Sequence, residues 1–185
     1  MNDFYRLKVA GLERDLPICK VNDDIYIAGF IMLGDFELTV KCAEKLLKSA
    51  PSYDILITAE AKGIPLAHEM ARQSGNRRYI VVRKAQKLYM KRPISTTVNS
   101  ITTAKTQTLY IDQADADYMQ GKNVLIVDDV ISTGESIKAI ELLVKSAGGN
   151  IAGKMAVLAE GEAANRKDIT FLQYLPLFNN LGLPM

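Results

Sequence analysis

The chain has 185 residues, 48% of them hydrophobic, which suits one ordinary globular domain with a sizeable core and leaves too little for two. Its formal net charge is only +2, so no broad footprint for nucleic acid or a membrane surface is implied. Cys19 and Cys42 lack CxxC spacing and read as reduced residues. His68 is the only histidine and reads as a surface or partly packed helical residue; one histidine excludes a His-dependent triad elsewhere and any multi-histidine metal site.

The amino-terminal stretch MNDFYRLKVAGLERDLPIC has no apolar core of signal-peptide length. Nowhere does an uncharged apolar run reach the roughly 18 residues of a membrane span, so a cytoplasmic location is expected. Gly34 and Asp35 precede a helical pattern from Phe36 to about Ser49. A short apolar strand, Asp54 to Thr58, follows, and then Glu60, Ala61, Lys62 and Gly63 lead into a helix from Ile64 to Gln73 that Pro65 starts and Gly75 closes. Gly63 frees the backbone for close approach to an anion, and Lys62 adds a cation beside the helix start. On its physics this is an anion site, although an ordinary tight turn would read the same way.

The next strand, Tyr79 to Val82, delivers Arg83 and Lys84, with Lys87, Lys91 and Arg92 soon after. Such a run is usually a solvated face, but here it leaves the carboxyl end of a strand, where ligands of open α/β sheets gather. Between Lys84 and Gly121 the alternation of strand and helix lapses. The stretch SITTAKTQTLYID is rich in threonine and β-branched residues and reads as a two-stranded excursion. A long insertion in a compact domain predicts a mobile lid, and Ser100, Thr102 and Thr103 would lie in it.

The stretch NVLIVDDVISTGES, Asn123 to Ser136, is the most informative. Val124, Leu125, Ile126 and Val127 form the continuous apolar run of a strand buried on both faces of a parallel sheet. The strand is expected to end at Asp128 and Asp129, whose carboxylates would then face a solvated crevice and suit the hydroxyls of a ribose or a magnesium ion. Ser132, Thr133, Gly134, Glu135 and Ser136 open a helix from Glu135 to Ala147, stopping near Gly148. Unpaired N–H groups and the helix dipole favour a phosphate there. Ser132 and Glu135 also satisfy a capping box, and Asp129 also fits as a charge near a helix start. Those readings leave the adjacency of two mutually repelling carboxylates unexplained.

A strand from Ile151 to Leu158 and a short one from Thr170 to Tyr174 complete the chain. The stretch GGNIAGKM, Gly148 to Met155, satisfies a P-loop up to Lys154, but Met155 stands where Ser or Thr is required, and the residues after it read as a strand instead of a helix, which disfavours ATP hydrolysis. The repeated strand, helix, strand order predicts an α/β fold, a mainly parallel sheet flanked by helices. One domain spans 1–185, with a core of about 34–160. The residues up to Leu33 and the tail from Gly161, with Leu175, Pro176, Leu177 and Phe178, fall outside the regular core, and a hydrophobic tail also reads simply as packing.

The stretch from Asn123 to Ser136 closely resembles the phosphoribosyl pyrophosphate motif of the type I phosphoribosyltransferases, a hydrophobic strand, two acidic residues, two apolar residues and a small-Thr-Gly loop. The Glu60 to Gly63 stretch is similar to the pyrophosphate loop of adenine and xanthine phosphoribosyltransferases. The resemblance covers most of the chain from Leu16 to Phe178. It implies the type I phosphoribosyltransferase-like fold, with a small hood from 1–33 and 161–185 and a hairpin lid at about 85–121.

By the same resemblance Asp128 and Asp129 would hold the ribose, and Ser132, Thr133, Gly134, Glu135 and Ser136 would wrap the 5'-phosphate. Glu60, Ala61, Lys62, Gly63, Arg83, Lys84 and Lys87 would bind pyrophosphate, with Lys62, Asp128 and Asp129 as the catalytic groups. Mg2+ is the implied cofactor, held mainly through the substrate with Asp128 and Asp129 as the available carboxylates. The implied substrates are phosphoribosyl pyrophosphate and a purine base, with no nucleic-acid or membrane partner, and the implied assembly is a homodimer. Glu60 to Gly63, the Arg83 and Lys84 pair and the small Ser132 favour an adenine- or xanthine-type purine salvage enzyme over orotate or uracil types. Glu135 departs from the second glycine often seen in the motif. Ser132 departs from the carboxylate of hypoxanthine-guanine relatives, so no general base is named. The alternative is a regulator that senses phosphoribosyl pyrophosphate without transferring it. Such regulators carry a DNA-binding domain, for which the segment before Phe36 is too short.

Overall fold

In chain order the elements are β1 (Phe4–Val9), β2 (Leu12–Lys20), β3 (Tyr26–Ala28), α1 (Phe36–Leu47), β4 (Ile55–Ala59), α2 (Ile64–Ser74), β5 (Tyr79–Val82), β6 (Ile94–Asn99) and β7 (Thr106–Ile111). They continue with α3 (Gln113–Met119), β8 (Asn123–Ile131), α4 (Glu135–Ser146), β9 (Asn150–Glu160), a short 3-10 turn (Gly161–Asn165) and β10 (Thr170–Leu175). The computed structural model describes residues 3–99 and 106–185. Ser100, Thr102 and Thr103 lie outside the described residues.

A five-stranded sheet of order β10-β9-β8-β4-β5, parallel throughout, forms the centre. Its central strands β4 and β8 are buried on both faces, so alternate residues feed two cores. From β8, Leu125 and Val127 pack with Leu38, Leu66 and Met70 of α1 and α2, whereas Val124 and Ile126 pack with Ile140 and Leu143 of α4. Asp35 caps α1 by accepting from the Leu38 N–H at 3.1 Å. Gly75, at φ +75°, closes α2.

Two expectations change. The strand carrying the acidic pair does not stop at Asp128, because its parallel pairing with β9 continues through Asp128↔Ala156, Val130↔Leu158 and Ile131↔Ala159. Both carboxylates therefore sit inside a strand, and Asp129 is only 3% exposed. The stretch between Lys84 and Gly121 contains the β6–β7 hairpin but also α3, capped by Asp112. The amino terminus is regular as well: β1 and β2 are joined by a two-residue turn, Ala10 and Gly11, at φ 53° and 83°, and β3 completes an antiparallel sheet. Phe178 of the tail is buried against this sheet, exchanging backbone hydrogen bonds with Tyr26 at 2.8 and 2.9 Å.

Candidate active site

After β4 the chain runs outward to β5, and after β8 it runs the other way to β9 and β10, so β4 and β8 flank the point where the strand order reverses. Crevices beyond the carboxyl ends of such a strand pair are where open α/β sheets bind ligands. The two loops meet there. A Cβ at Gly63 would collide with Thr58 Oγ1 and lie 3.0 Å from Asp128 Oδ1. Lys62 Nζ reaches across to Asp129 Oδ2 at 3.0 Å.

Glu60 organises the basic residues. Its carboxylate accepts from the Lys84 N–H at 2.7 Å and from Arg83 Nη1 at 3.1 Å, and Lys87 Nζ stands 3.5 Å away. Burial pushes the Glu60 carboxyl up, but the Lys84 N–H and the Arg83 and Lys87 charges together hold it below its ordinary value. The Glu60–Ala61 peptide is cis. In contrast, Asp128 is raised, first by burial and then by the repulsion of Asp129 beside it.

At the tip of β8, residues Ser132 to Ser136 line a small cavity of about 110 Å³ with Asp128 and Ile137. Gly134, at φ +79°, is the N-cap residue of α4 in place of Ser132 and has no side chain to cap it, while the Glu135 N–H donates to Thr133 Oγ1 at 3.5 Å. The capping-box reading of Ser132 and Glu135 therefore does not describe its start. The left-handed φ suits glycine, and a Cβ at Gly134 would run into the guanidinium of Arg166.

Residues 38–179 match the family described as phosphoribosyl transferase domain. The chain belongs to this family. An adenine phosphoribosyltransferase of Rhodococcus jostii is 35% identical over 116 residues, a match spanning 62% of each chain. A hypoxanthine/guanine phosphoribosyltransferase of Methanothermococcus okinawensis is 31% identical over 153 residues, covering 80% of this chain and 79% of that one. Among solved structures, adenine phosphoribosyltransferase from Thermoanaerobacter pseudethanolicus aligns with a TM-score of 0.65 at 26% identity, covering 77% of this chain and 84% of the other.

This phosphoribosyltransferase-family chain thus brings Lys62, Gly63, Asp128 and Asp129 into one crevice, gathers Arg83, Lys84 and Lys87 on Glu60, and keeps Ser132 to Ser136 together one loop away. Two residues were missed in the sequence. Arg166, beside Gly134, is fixed by Asp168, which accepts from Nε at 3.0 Å and from Nη2 at 2.9 Å. Glu160, the last residue of β9, lines a second cavity, about 330 Å³, with Lys62, Ser132, Ala28, Phe30 and Leu175. Burial raises the Glu160 carboxyl, and the Ser132 hydroxyl and the Lys62 charge partly offset this. Neither carries a local signal, because both reach the site only through the β8–β9 pairing. His68 is exposed on α2, with its ring edge-on to Tyr79 at 5.9 Å. Among the described residues no helix is long and apolar enough to cross a membrane.

Proposed function

We propose that this chain is a purine phosphoribosyltransferase. It joins a purine base to the ribose of phosphoribosyl pyrophosphate, forming a nucleoside 5'-monophosphate and releasing pyrophosphate, in adenine- or xanthine-type salvage. The observation that carries the reading is the contact of Gly63 with Asp128. An anion-suited loop and a hydroxyl-suited carboxylate pair converge at the reversal point of one sheet, which is what gripping two ends of an activated sugar demands. The likeness to relatives named for adenine and for hypoxanthine and guanine supports a purine as acceptor.

In this reading Asp128 and Asp129 hold the ribose hydroxyls. Asp129 Oδ2 is buried with the Lys62 ammonium 3.0 Å away but outside hydrogen-bond geometry, so a ligand hydroxyl would complete it. Ser132, Thr133, Gly134, Glu135 and Ser136 take the 5'-phosphate on their backbone, and Ala61, Lys62, Gly63, Arg83, Lys84 and Lys87 face the pyrophosphate. Glu60 holds the last three in place. As the bond to pyrophosphate breaks, positive charge grows on the sugar carbon and negative charge on the departing group. Cations and N–H groups already fixed in position stabilise that departure, and alignment of sugar and base lowers the barrier further.

Among the described residues no group of three or more His, Cys, Asp or Glu side chains converges as metal ligands. The oxygen donors Asp128 and Asp129 therefore suit a Mg2+ ion that arrives on the substrate's own oxygens, where it supplies counter-charge to the pyrophosphate. The chain is read as one domain, with a core of about 34–160, a hood from 1–33 and 161–185, and a lid at about 85–121 carried by the β6–β7 hairpin. A homodimer is supported by Phe36, 80% exposed beside an apolar groove of about 710 Å³ between α1 and α2. The setting is the cytoplasm, without nucleic-acid or membrane partners.

Incubation with phosphoribosyl pyrophosphate, Mg2+ and each purine base in turn tests the proposal. Pyrophosphate release with one base, adenine tried first, is the expected result. Tight binding of phosphoribosyl pyrophosphate with no turnover of any base would favour a sensor and overturn it.

A further inference from the structure

Joining a purine nitrogen to the sugar carbon expels a proton as well as pyrophosphate, and none of the groups assigned so far is suited to take it. Lys62 is a cation engaged with Asp129, and the acidic pair is committed to the ribose. The cavity of about 330 Å³ contains one further ionisable side chain, Glu160. Its remaining walls include Ala28, Phe30, Val130 and Leu175, an apolar lining that suits a flat heteroaromatic ring.

The register of the sheet explains the position. Ile131↔Ala159 is the last parallel pair between β8 and β9, and Ser132 and Glu160 are the residues that follow on each strand. Ser132 and Glu160 line the same cavity, and the Ser132 hydroxyl acts on the Glu160 carboxyl to lower it. On its other side Glu160 pairs with Leu175 of β10, so its backbone is held in the sheet. A carboxylate kept for structure alone would be expected to carry an ion pair of its own. Glu160 makes no direct one among the described residues, and the nearest cation, Lys62, is already paired with Asp129.

Resting on the transferase reading, we infer that Glu160 accepts the purine's proton and that Ser132 orients its carboxylate. As the bond from the base nitrogen to the sugar carbon forms, the bond from that carbon to pyrophosphate breaks, and its electron pair leaves with the pyrophosphate. The N–H proton of the base passes to a Glu160 oxygen. Burial, the larger influence on this carboxyl, makes it a stronger base than an exposed glutamate. The charged and polar groups facing it are Lys62, from the loop after β4, and Ser132, from the loop after β8; the neighbours from β3 and β10 are apolar.

The test compares steady-state pyrophosphate release, with phosphoribosyl pyrophosphate, Mg2+ and the purine accepted by the unaltered protein, across three variants. Glu160→Gln should lower kcat by about 10²-fold or more, with KM for phosphoribosyl pyrophosphate little changed. The acid limb of the pH profile of kcat/KM for the base, present in the unaltered protein, should vanish. In Glu160→Ala, added formate should restore part of the lost rate by replacing the missing carboxylate. Ser132→Ala should lose about tenfold and keep the acid limb, as expected of a positioning residue. Unchanged kcat and acid limb in Glu160→Gln would overturn the inference while leaving the transferase reading intact. So would a fall in rate that keeps the acid limb and that formate does not relieve in Glu160→Ala, since that pattern marks a merely structural side chain. If the unaltered protein transfers to no purine, both readings fall together.

Discussion

The loops at the tips of β4 and β8 face the same crevice but are built by opposite means. The β4 loop is crowded with charge already in use: Lys62 holds Asp129, and Glu60 gathers Arg83, the Lys84 N–H and Lys87. The β8 loop is small side chains and backbone, with Gly134 in the left-handed region and a single guanidinium, that of Arg166, laid against it from outside. The contrast fits two anions of different fate. On the proposed reading a 5'-phosphate stays bound through the reaction, and backbone N–H groups of fixed geometry suffice for it. A pyrophosphate must arrive, gain charge and leave, and paired side-chain cations can exchange one partner for another.

Substitution of Gly63 should give the largest effect, because it is the residue at which the two tips touch. Alanine there has no empty space, since its Cβ would meet buried Thr58 Oγ1 and the Asp128 side chain. Overpacking of this kind costs about 1–3 kcal/mol, and a displacement of about 1 Å between the loops costs about 10²-fold in turnover. Gly63→Ala should therefore lower both the thermal midpoint and kcat. A variant with normal kcat would mean that the two tips do not act on one ligand. The neighbouring case is gentler in space, because what a Cβ at Gly134 meets is the movable end of the Arg166 side chain.

The acidic pair gives the next effect, with opposite signs for stability and activity. Asp128 has its carboxyl raised by burial and by Asp129, so its ionised form is disfavoured in the folded chain. A raised acid pKa means that the folded state loses stability as pH climbs above the unfolded value. Asp128→Asn, which keeps shape and removes charge, should raise the thermal midpoint at pH 7, by about 2–4 °C for each kcal/mol relieved. The same change should cut turnover by about 10²-fold, because the ribose loses an acceptor. Calorimetry and rate measurement on one sample check both signs, and a fall in midpoint would mean the pair is held for stability instead of function.

The sequence made the ends of β4 and β8 legible because their chemistry is local. Proline after glycine, a lysine beside a helix start and two adjacent carboxylates each state their physics within a few residues. The course of the hydrophobic runs from Ile55 to Ile57 and from Val124 to Val127 was legible for the same reason. What was not legible depends on pairing. The last residues of β8 contain two charges and no apolar alternation that would extend the strand, yet the β9 ladder extends it and buries Asp129. The β1–β2 turn uses Ala10, not the usual asparagine or aspartate, at positive φ, so it lacks the common hairpin signal. The helix α3 has seven residues within a threonine-rich insertion, too short for periodicity to declare itself. Glu160 lies 28 residues from Ser132 and Arg166 lies 32 from Gly134, and only the fold brings them there.

The smallest effect comes from the outer support of the β8 loop. Asp168 binds Arg166 by two hydrogen bonds and also accepts from Lys154 Nζ at 2.5 Å, while Lys154 meets Glu141 of α4. These contacts, the Arg166 hydrogen bond foremost, lower the Asp168 carboxyl below its ordinary 3.8. A lowered acid pKa contributes stability that is complete above the unfolded value and drains away as pH falls through the folded one. Asp168→Asn should therefore separate the thermal midpoints at pH 7, and the gap should close as pH is taken from about 4 towards 2. Because Asp168 is half exposed, the gap corresponds to no more than about 1 kcal/mol. With its anchor lost, the Arg166 guanidinium would leave Gly134, and KM for phosphoribosyl pyrophosphate should rise by no more than about fivefold with kcat held. An unchanged KM would assign Arg166 to the fold alone and leave the β8 loop to bind its anion by backbone N–H groups without help from any cation.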